Sequence, residues 1–382
     1  MPHKHQHALY FPLLDTTRFV AFIPVFLTHC FVTSNSSISS SLWFQRMKHF
    51  LDVGLLGLDY FFVLSSFLIT RLIIEEQARH NTFSFKLFFI RRSLRIWPLY
   101  FFMTGIGFAL AYAGFTHTPL PSLIYFVTFT LNLYIAKNGY DFLFFLVFLW
   151  SISVEEQFYV IWGLLLQFIS RIGNKVFQYS IPITGLLLIV ISLLYRYTHM
   201  HNELQLYFHT CSVASNFGVG MLLAYLGAYS KRFVSIVANM GKTALFFWGA
   251  LLLLSVVTYT FVFTNTVAML FERCYFSLLF ASCIAILCYS KFVPRVQKFF
   301  LPFDYLGKIS LGLYFYHGIV ITVFSQLMMH YAIASTSYQV MLINPVVMML
   351  LTILIAALSY NYFEKPILAL KSNFYRQNSI RI

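Results

Sequence analysis

Runs of about 20 apolar residues recur along the whole chain, and each is long enough to cross a lipid bilayer as a helix. The 382 residues are 59% hydrophobic and only 10% charged. Soluble globular chains carry about 25% charged residues, so this composition excludes a soluble domain of this size. We therefore predict an all-α, polytopic membrane protein.

The hydropathy pattern predicts about ten transmembrane helices and one short segment, Leu120–Ile135, which is marginal for crossing and is either re-entrant or interfacial. We expect a single membrane domain over residues 13–365, flanked by cytosolic tails at residues 1–12 and 366–382. The predicted spans are Leu13–Phe31, Val53–Ile74, Trp97–Phe115, Phe142–Ile169, Ile181–Tyr197, Leu206–Tyr229, Ala244–Phe263, Val267–Tyr289, Tyr305–His330 and Val340–Phe363.

The chain has 26 Lys and Arg against 12 Asp and Glu, which gives a formal net charge of +14. In a membrane protein such an excess sets the orientation and attracts anionic lipid, so membrane lipid is an expected partner and nucleic acid is not. Threading the loops by the positive-inside rule places both termini in the cytosol. We expect a multi-pass protein of the inner (cytoplasmic) membrane, with its oligomeric state left open.

Neither a disulfide framework nor a metal site is expected from the sequence. The five cysteines lie in or beside apolar spans and form no CxxC pattern. Three histidines alternate in the N-terminal MPHKHQH, but we interpret this stretch as a terminal tail rather than as a metal ligand set.

The first predicted helix, Leu13–Phe31, carries three ionisable residues, Asp15, Arg18 and His29. Charged groups inside a membrane helix are costly and by default indicate a functional site. Arg18 and His29 are about three helical turns apart on one face, and Asp15 lies one turn before Arg18 on that face. The alternative is an Asp–Arg pair at the cytosolic mouth and a histidine that packs inside the bundle.

Two acidic residues in other spans are candidates to act with His29. Asp59 in the second span lies at about the same depth as His29, and a carboxylate beside an imidazole orients it for general-base work. Glu155 and Glu156 are adjacent and point about 100° apart, so we expect Glu155 to face the core with Tyr159. The alternative for Asp59 is an aspartate at a helix end in water. The alternative for Glu155 is an ion pair that only holds helices together.

A cluster of arginines, Arg91, Arg92 and Arg95, precedes the third predicted span, which starts near Trp97. Arg92 and Arg95 are one turn apart on one face, and arginine forks bind phosphates bidentately. The cluster is a candidate site for a phosphorylated cytosolic donor. The alternative is an ordinary positive-inside cluster in contact with anionic lipid heads.

Two late stretches contain polar residues for which we favour packing or capping over chemistry. YLGKISLGLYFYHG, residues 305–318, contains Tyr314 and His317, and SYNYFEKPI closes the last span. Neither stretch offers a clear pair of acid and base.

Taken together, these stretches resemble the acyltransferase-3 family of membrane O-acyltransferases. Arg18 and His29 match an Arg-ten-residues-His motif in the first helix. Ser66 stands where the family usually has Gly, and Thr16 and Thr17 also depart from its pattern, which leaves the acceptor open. The matching stretches, in family order, are LDTTRFVAFIPVFLTHC, GLDYFFVLSSFLIT, RRSLRIWPLY, WSISVEEQFY, YLGKISLGLYFYH and EKP.

The resemblance implies an acyl-CoA donor, most simply acetyl-CoA, whose phosphates would bind Arg92 and Arg95 together with Arg91. Arg18 and Asp15 would shape the cytosolic mouth of the donor site. The chain ends soon after its last span, so we expect it to lack the fused extracytoplasmic domain of some relatives. Acyl delivery would then depend on this domain alone or on a separate partner.

The resemblance also implies the chemistry. His29 would be the general base on a hydroxyl of a glycan or lipid-linked glycan, oriented by Asp59 or Glu155, or would form an acyl-His intermediate. The rival functions are a transporter or flippase for a lipid-linked sugar, which would use the same intramembrane charges, and a sensor or scaffold without catalysis.

Overall fold

The computed structural model describes residues 11–33, 35–113, 122–140, 144–263, 265–331 and 336–374. Within these ranges the regular secondary structure is entirely helical. The N-terminal histidines discussed above and residues 375–382 lie outside the described residues.

The helices are numbered in chain order. They are α1 (Pro12–Cys30), α2 (Ser36–Ser39), α3 (Leu42–Leu51), α4 (Leu56–His80), α5 (Phe85–Tyr112), α6 (Leu123–Val127), α7 (Leu131–Asn138), α8 (Phe144–Val147), α9 (Leu149–Ile169), α10 (Asn174–Thr198), α11 (Glu203–Phe208), α12 (Thr210–Tyr229), α13 (Lys231–Ala238), α14 (Lys242–Val257), α15 (Tyr259–Val262), α16 (Thr266–Tyr289), α17 (Val293–Lys308), α18 (Ser310–His330), α19 (Asn344–Ser359) and α20 (Lys365–Ala369). Short 3-10 or π-helical segments lie at Asp52–Leu55, Gln339–Ile343, Tyr360–Glu364 and Leu370–Phe374.

Nine helical segments of the described chain are long and apolar enough to cross a membrane, which confirms the all-α, polytopic prediction. A tenth crossing is formed if α13 and α14, which meet at a 93° bend, act as one broken span. The segment predicted as marginal overlaps α6 and most of α7, which have only 5 and 8 residues. Neither helix is long enough to cross alone, because a crossing takes about 20 residues.

Two differences between the predicted spans and the structure affect the site. Helix α5 begins at Phe85 rather than near Trp97, so the arginine cluster lies inside a membrane-length helix and not before it. The predicted span Tyr305–His330 is divided at Ile309 between α17 and α18. Hydropathy misses the first feature because arginines that face a bundle interior lower the local hydropathy as a loop would. It misses the second because a break within an apolar run leaves the apolar average unchanged.

Helix α1 occupies the interior of the bundle and contacts α4, α17, α18 and α19. Close approach of α1 and α4 depends on glycine. A Cβ atom on Gly54, in the 3-10 segment before α4, would lie 2.1 Å from the carbonyl oxygen of Pro24, and one on Gly57 of α4 would lie 2.5 Å from that of Ala21. Small residues allow such backbone contacts between membrane helices. The glycines therefore let α4 pack closely on the middle of α1.

Replacing Gly57 with Ala should lower the thermal stability of the protein, because the added methyl group would clash with the backbone of α1. Overpacking of this kind costs about 1–3 kcal/mol. Gly249→Ala is the matched control, since a Cβ there meets nothing within 4 Å, and it should be neutral or slightly stabilising. Scanning fluorimetry of the detergent-purified protein measures the thermal unfolding midpoint of each variant. Equal midpoints for the two variants would contradict the tight α1–α4 contact.

Candidate functional site

A cleft between α1, α4, α5, α9 and α18 brings most of the predicted site residues together. Its walls are apolar side chains that include Leu58, Phe61 and Phe62 of α4. Apolar walls with a few convergent polar groups are typical of ligand sites. The polar residues that line the cleft are Arg18, Ser65, Arg92, Arg95, Ser151, Glu155, Tyr159, Ser310 and Tyr314.

One end of the cleft is strongly cationic. Arg18 donates to Asp15 on the same helix at 2.5 Å, and the Arg92 guanidinium lies 5.9 Å from the ring centroid of Tyr159. Among the described residues, no ion pair or side-chain hydrogen bond engages the guanidinium of Arg92 or Arg95. Guanidinium groups without such partners have N–H donors available in the cleft, which suits a phosphate or another anion.

Glu155 is the one acidic residue among the described side chains that line the cleft. Tyr159 donates a hydrogen bond to its carboxylate at 2.6 Å, and the Tyr159 hydroxyl also lies 2.6 Å from Ser65 Oγ on α4. Glu156 points elsewhere and accepts from the indole of Trp97 at 3.1 Å. The structure therefore places Glu155 and Tyr159 together in the cleft, as their helical spacing predicts.

Beyond the cleft, two histidines lie near each other, and one phenylalanine packs beside both of them. The ring centroids of His29 and His317 are 5.8 Å apart, and the Phe148 ring lies 4.7 Å from the first and 4.6 Å from the second. Tyr314 connects this pair to the cleft, because its hydroxyl lies 2.8 Å from Ser151 Oγ and donates to the Phe148 carbonyl at 3.0 Å.

Helix α1 spans the distance between the two ends of this site. Three helical turns separate Arg18 from His29, which corresponds to about 16 Å along the axis. The cationic end and the histidine end are therefore carried by one helix, which contains Pro24 between Arg18 and His29. An extended ligand with an anionic head and a reactive tail would match this arrangement.

Asp59 has partners other than the predicted His29. Its carboxylate pairs with the guanidinium of Arg273 on α16 and accepts from Asn216 Nδ2 at 2.5 Å. Arg273 also donates to the Tyr207 carbonyl at 3.2 Å. All three paired groups are buried, and a buried ion pair needs such additional hydrogen bonds to offset desolvation. Asp59 thus connects α4 to α12 and α16.

Arg91 does not line the cleft, in contrast to the donor-binding role that the sequence suggested for it. It donates to Glu76 at 3.3 Å and to the Phe374 carbonyl at 3.0 Å. Adjacent helical residues point about 100° apart, so Arg91 and Arg92 cannot serve the same pocket. Arg91 instead attaches the C-terminal turn Leu370–Phe374 to α5.

Sequence reasoning missed Lys371 and undervalued His317. The contact between Arg91 and Phe374 holds the C-terminal turn on α5, and Lys371 on this turn lies within electrostatic range of Arg92 and Arg95. The sequence signal for Lys371 was a basic residue after the last apolar run, which is also typical of any cytosolic tail. His317 sat in a glycine-containing stretch that we interpreted as packing.

The chain matches the acyltransferase-3 family model, which is described as an acyltransferase domain, over residues 11–361. It is 25% identical over 332 residues to the peptidoglycan O-acetyltransferase OatA of Listeria monocytogenes, covering 82% of this chain and 51% of that protein. It is 27% identical over 403 residues to the putative peptidoglycan O-acetyltransferase YrhL of Bacillus subtilis. This match covers 96% of this chain and 56% of that protein.

A putative O-acetyltransferase of Staphylococcus aureus is 25% identical over 374 residues, covering 95% of this chain and 58% of that protein. The chain thus spans little more than half the length of these curated relatives. No solved structure matches the chain significantly.

Replacing Asp59 with Ala should destabilise the protein by about 3–5 kcal/mol, because it leaves the Arg273 guanidinium buried without its carboxylate. The double variant Asp59→Leu with Arg273→Met removes both charges and should recover much of the loss. Denaturation midpoints in detergent measure the effect. A single variant as stable as the parent, or a double variant no better than the single one, would contradict a mainly structural role.

Proposed function

Because the chain belongs to the acyltransferase-3 family, we propose that it is an integral membrane O-acyltransferase. It moves an acyl group, most simply acetyl, from acyl-CoA to a hydroxyl of a cell-surface polysaccharide or lipid-linked glycan. The observation that carries this proposal is a cleft lined by Arg92 and Arg95, with His29 beyond it. Tyr314 lines the cleft and contacts the ring of His317, which in turn lies beside His29.

The arginine end binds the phosphates of the donor. Arg92 and Arg95 have no carboxylate partner among the described residues, so their forks are available for bidentate phosphate contacts. Arg18 adds a third cation to the cleft. Glycan acceptors without phosphate would gain little from this end, which favours the donor as its occupant.

The acyl end of the donor reaches along α1 toward His29. His29 accepts the proton of the acceptor hydroxyl as the oxygen attacks the acyl carbonyl carbon. The new C–O bond forms while the C–S bond breaks, and the thiol of CoA leaves with the proton returned by His29. Holding acyl and hydroxyl together at this point is worth several kcal/mol, about 7–11 in ideal cases. The alternative route forms an acyl-His29 intermediate first.

The two carboxylates act by positioning rather than by contact with the reacting atoms. Glu155 holds Tyr159, and through it Ser65, in the wall of the cleft. It also offsets part of the positive charge that Arg92 brings into the apolar bundle. Asp59 holds α4, which carries Ser65, against α12 and α16 through Arg273 and Asn216.

The acceptor is a glycan hydroxyl that arrives from the side opposite the arginine end. Two relatives bear names that specify peptidoglycan O-acetylation, so peptidoglycan is the first acceptor to test. In the cytoplasmic membrane the arginine end faces the cytosol, where acyl-CoA is available. This orientation agrees with the positive-inside distribution of Lys and Arg.

Arg92→Ala combined with Arg95→Ala should weaken donor binding strongly. Each charge-assisted contact contributes about 1.5–3 kcal/mol, so we expect roughly a 10- to 150-fold loss of affinity per arginine. Calorimetry with CoA on the purified protein measures the change. Arg171→Ala, at an exposed position between α9 and α10, is the charge-matched control and should bind normally. Unchanged affinity in the double variant would refute this donor site.

His29→Ala should abolish acyl transfer while folding and donor binding are retained. Loss of a general base costs about 10²- to 10⁴-fold in rate. Membranes that contain the protein are supplied with radiolabelled acetyl-CoA, and label in glycan and lipid-linked glycan is counted. Wild-type transfer in the variant would overturn the role of His29. Movement of a lipid-linked sugar across the membrane without CoA would instead support a transporter or flippase.

A further inference from the structure

His317 on α18 is buried completely, with 0% of its surface exposed, yet one of its ring nitrogens has no partner in the described part of the chain. Its Nδ1 lies 2.6 Å from the Tyr314 carbonyl oxygen. Its Nε2 has no hydrogen-bond partner among the described residues. A buried polar atom without a partner is costly, so each case in a native fold requires a physical explanation.

The contact at Nδ1 determines which nitrogen carries the proton. A carbonyl oxygen only accepts hydrogen bonds, so Nδ1 must be the donor. In the neutral imidazole the other nitrogen, Nε2, then has a free lone pair and can only accept. His317 is therefore prepared to receive an N–H or O–H group at Nε2.

The surroundings of His317 leave few groups that could provide this donor. The Phe148 ring stacks on one side at 4.6 Å, and Phe22 contacts it edge-on at 5.6 Å. Two titratable side chains have rings close by among the described residues. Tyr314 lies at 5.6 Å, but its hydroxyl donates to the Phe148 carbonyl, which leaves His29, at 5.8 Å, as the candidate donor. A direct N–H···N bond of about 2.9 Å would require the rings to come slightly closer, and one bridging water would also complete the contact. Catalytic hydrogen bonds are often long in unliganded sites and shorten when substrate binds.

We propose that His317 is the positioning residue for His29 in the acyl-transfer reaction. Its Nε2 accepts a hydrogen bond from a ring N–H of His29, directly or through one water, and thereby determines the tautomer of His29. The opposite nitrogen of His29 then faces the acceptor hydroxyl as an unprotonated base. The inference rests on the proposed function, and it assigns to a histidine the orienting role that sequence reasoning gave to Asp59 or Glu155.

Two substitutions separate this role from simple packing. His317→Asn keeps a donor near the position of Nδ1, so it retains the contact with the Tyr314 carbonyl and loses the acceptor at Nε2. His317→Gln places an amide oxygen near the position of Nε2 and retains the acceptor instead. If His317 orients His29, the Gln variant should keep more activity than the Asn variant. If His317 only packs against Tyr314, the Asn variant should keep more. His330→Asn, at an exposed position on the same helix, is the control.

The first measurement does not depend on activity. Imidazole ¹⁵N spectra of the detergent-purified full chain, assigned with His29→Asn and His317→Asn, report the tautomer of each ring. We expect His317 to be protonated at Nδ1, and His29 to be a single tautomer in the parent and in His317→Gln but a mixture in His317→Asn. A His317 protonated at Nε2, or a His29 tautomer unchanged in His317→Asn, would overturn the inference.

The second measurement is the transfer rate. We expect kcat to fall about 100-fold in His317→Asn, with CoA affinity unchanged, and to fall less than tenfold in His317→Gln. If the parent is active, an equal loss of kcat in the two variants, or a larger loss in His317→Gln, would overturn the inference. A parent that transfers no acyl group to any glycan would be a failure of the proposed function instead, and the tautomer spectra would still decide whether His317 orients His29.

Discussion

The cost of placing charge inside an apolar bundle governs the whole interior of this protein. A buried ion loses several kcal/mol of hydration and must recover it from partners. Asp59 and Arg273 meet this requirement together, and Arg91 meets it with Glu76 at 3.3 Å. Against these pairs, Arg92 stands out because it points into a cleft without a carboxylate partner among the described residues. Charges that are paired hold the helices together, and charges that are not paired indicate where a ligand belongs.

Helix α1 sets the separation between the two ends of this site. It carries both Arg18 and His29, with Pro24 between them, so the distance between the cationic end and the histidine end changes only if the helix bends. Gly54 and Gly57 let α4 lie directly on α1, and α4 contributes the apolar wall. Sites built on packed helices are held more accurately than sites on loops. Such accuracy is what a transfer reaction between two bound groups requires.

The fold was predictable where it depends on local composition and not where it depends on contacts. The apolar spans were predictable because a window of about 20 residues suffices to identify each crossing. The start of α5 at Phe85 and the bend between α13 and α14 were not. Arginines that face a bundle interior lower the local hydropathy as a loop would, although they continue the helix. A bend changes the path of the chain without changing its composition.

For the site, the sequence by itself determined every relationship within one helix. Arg18 and His29 share a face of α1, and Glu155 and Tyr159 share a face of α9, because 3.6 residues per turn fixes which side chains align. Only the tertiary structure decided which helices meet. It paired Asp59 with a residue 214 positions later and brought His317 to His29. Contacts between helices arise from many weak packing terms summed over the bundle, and no short stretch of sequence records that sum.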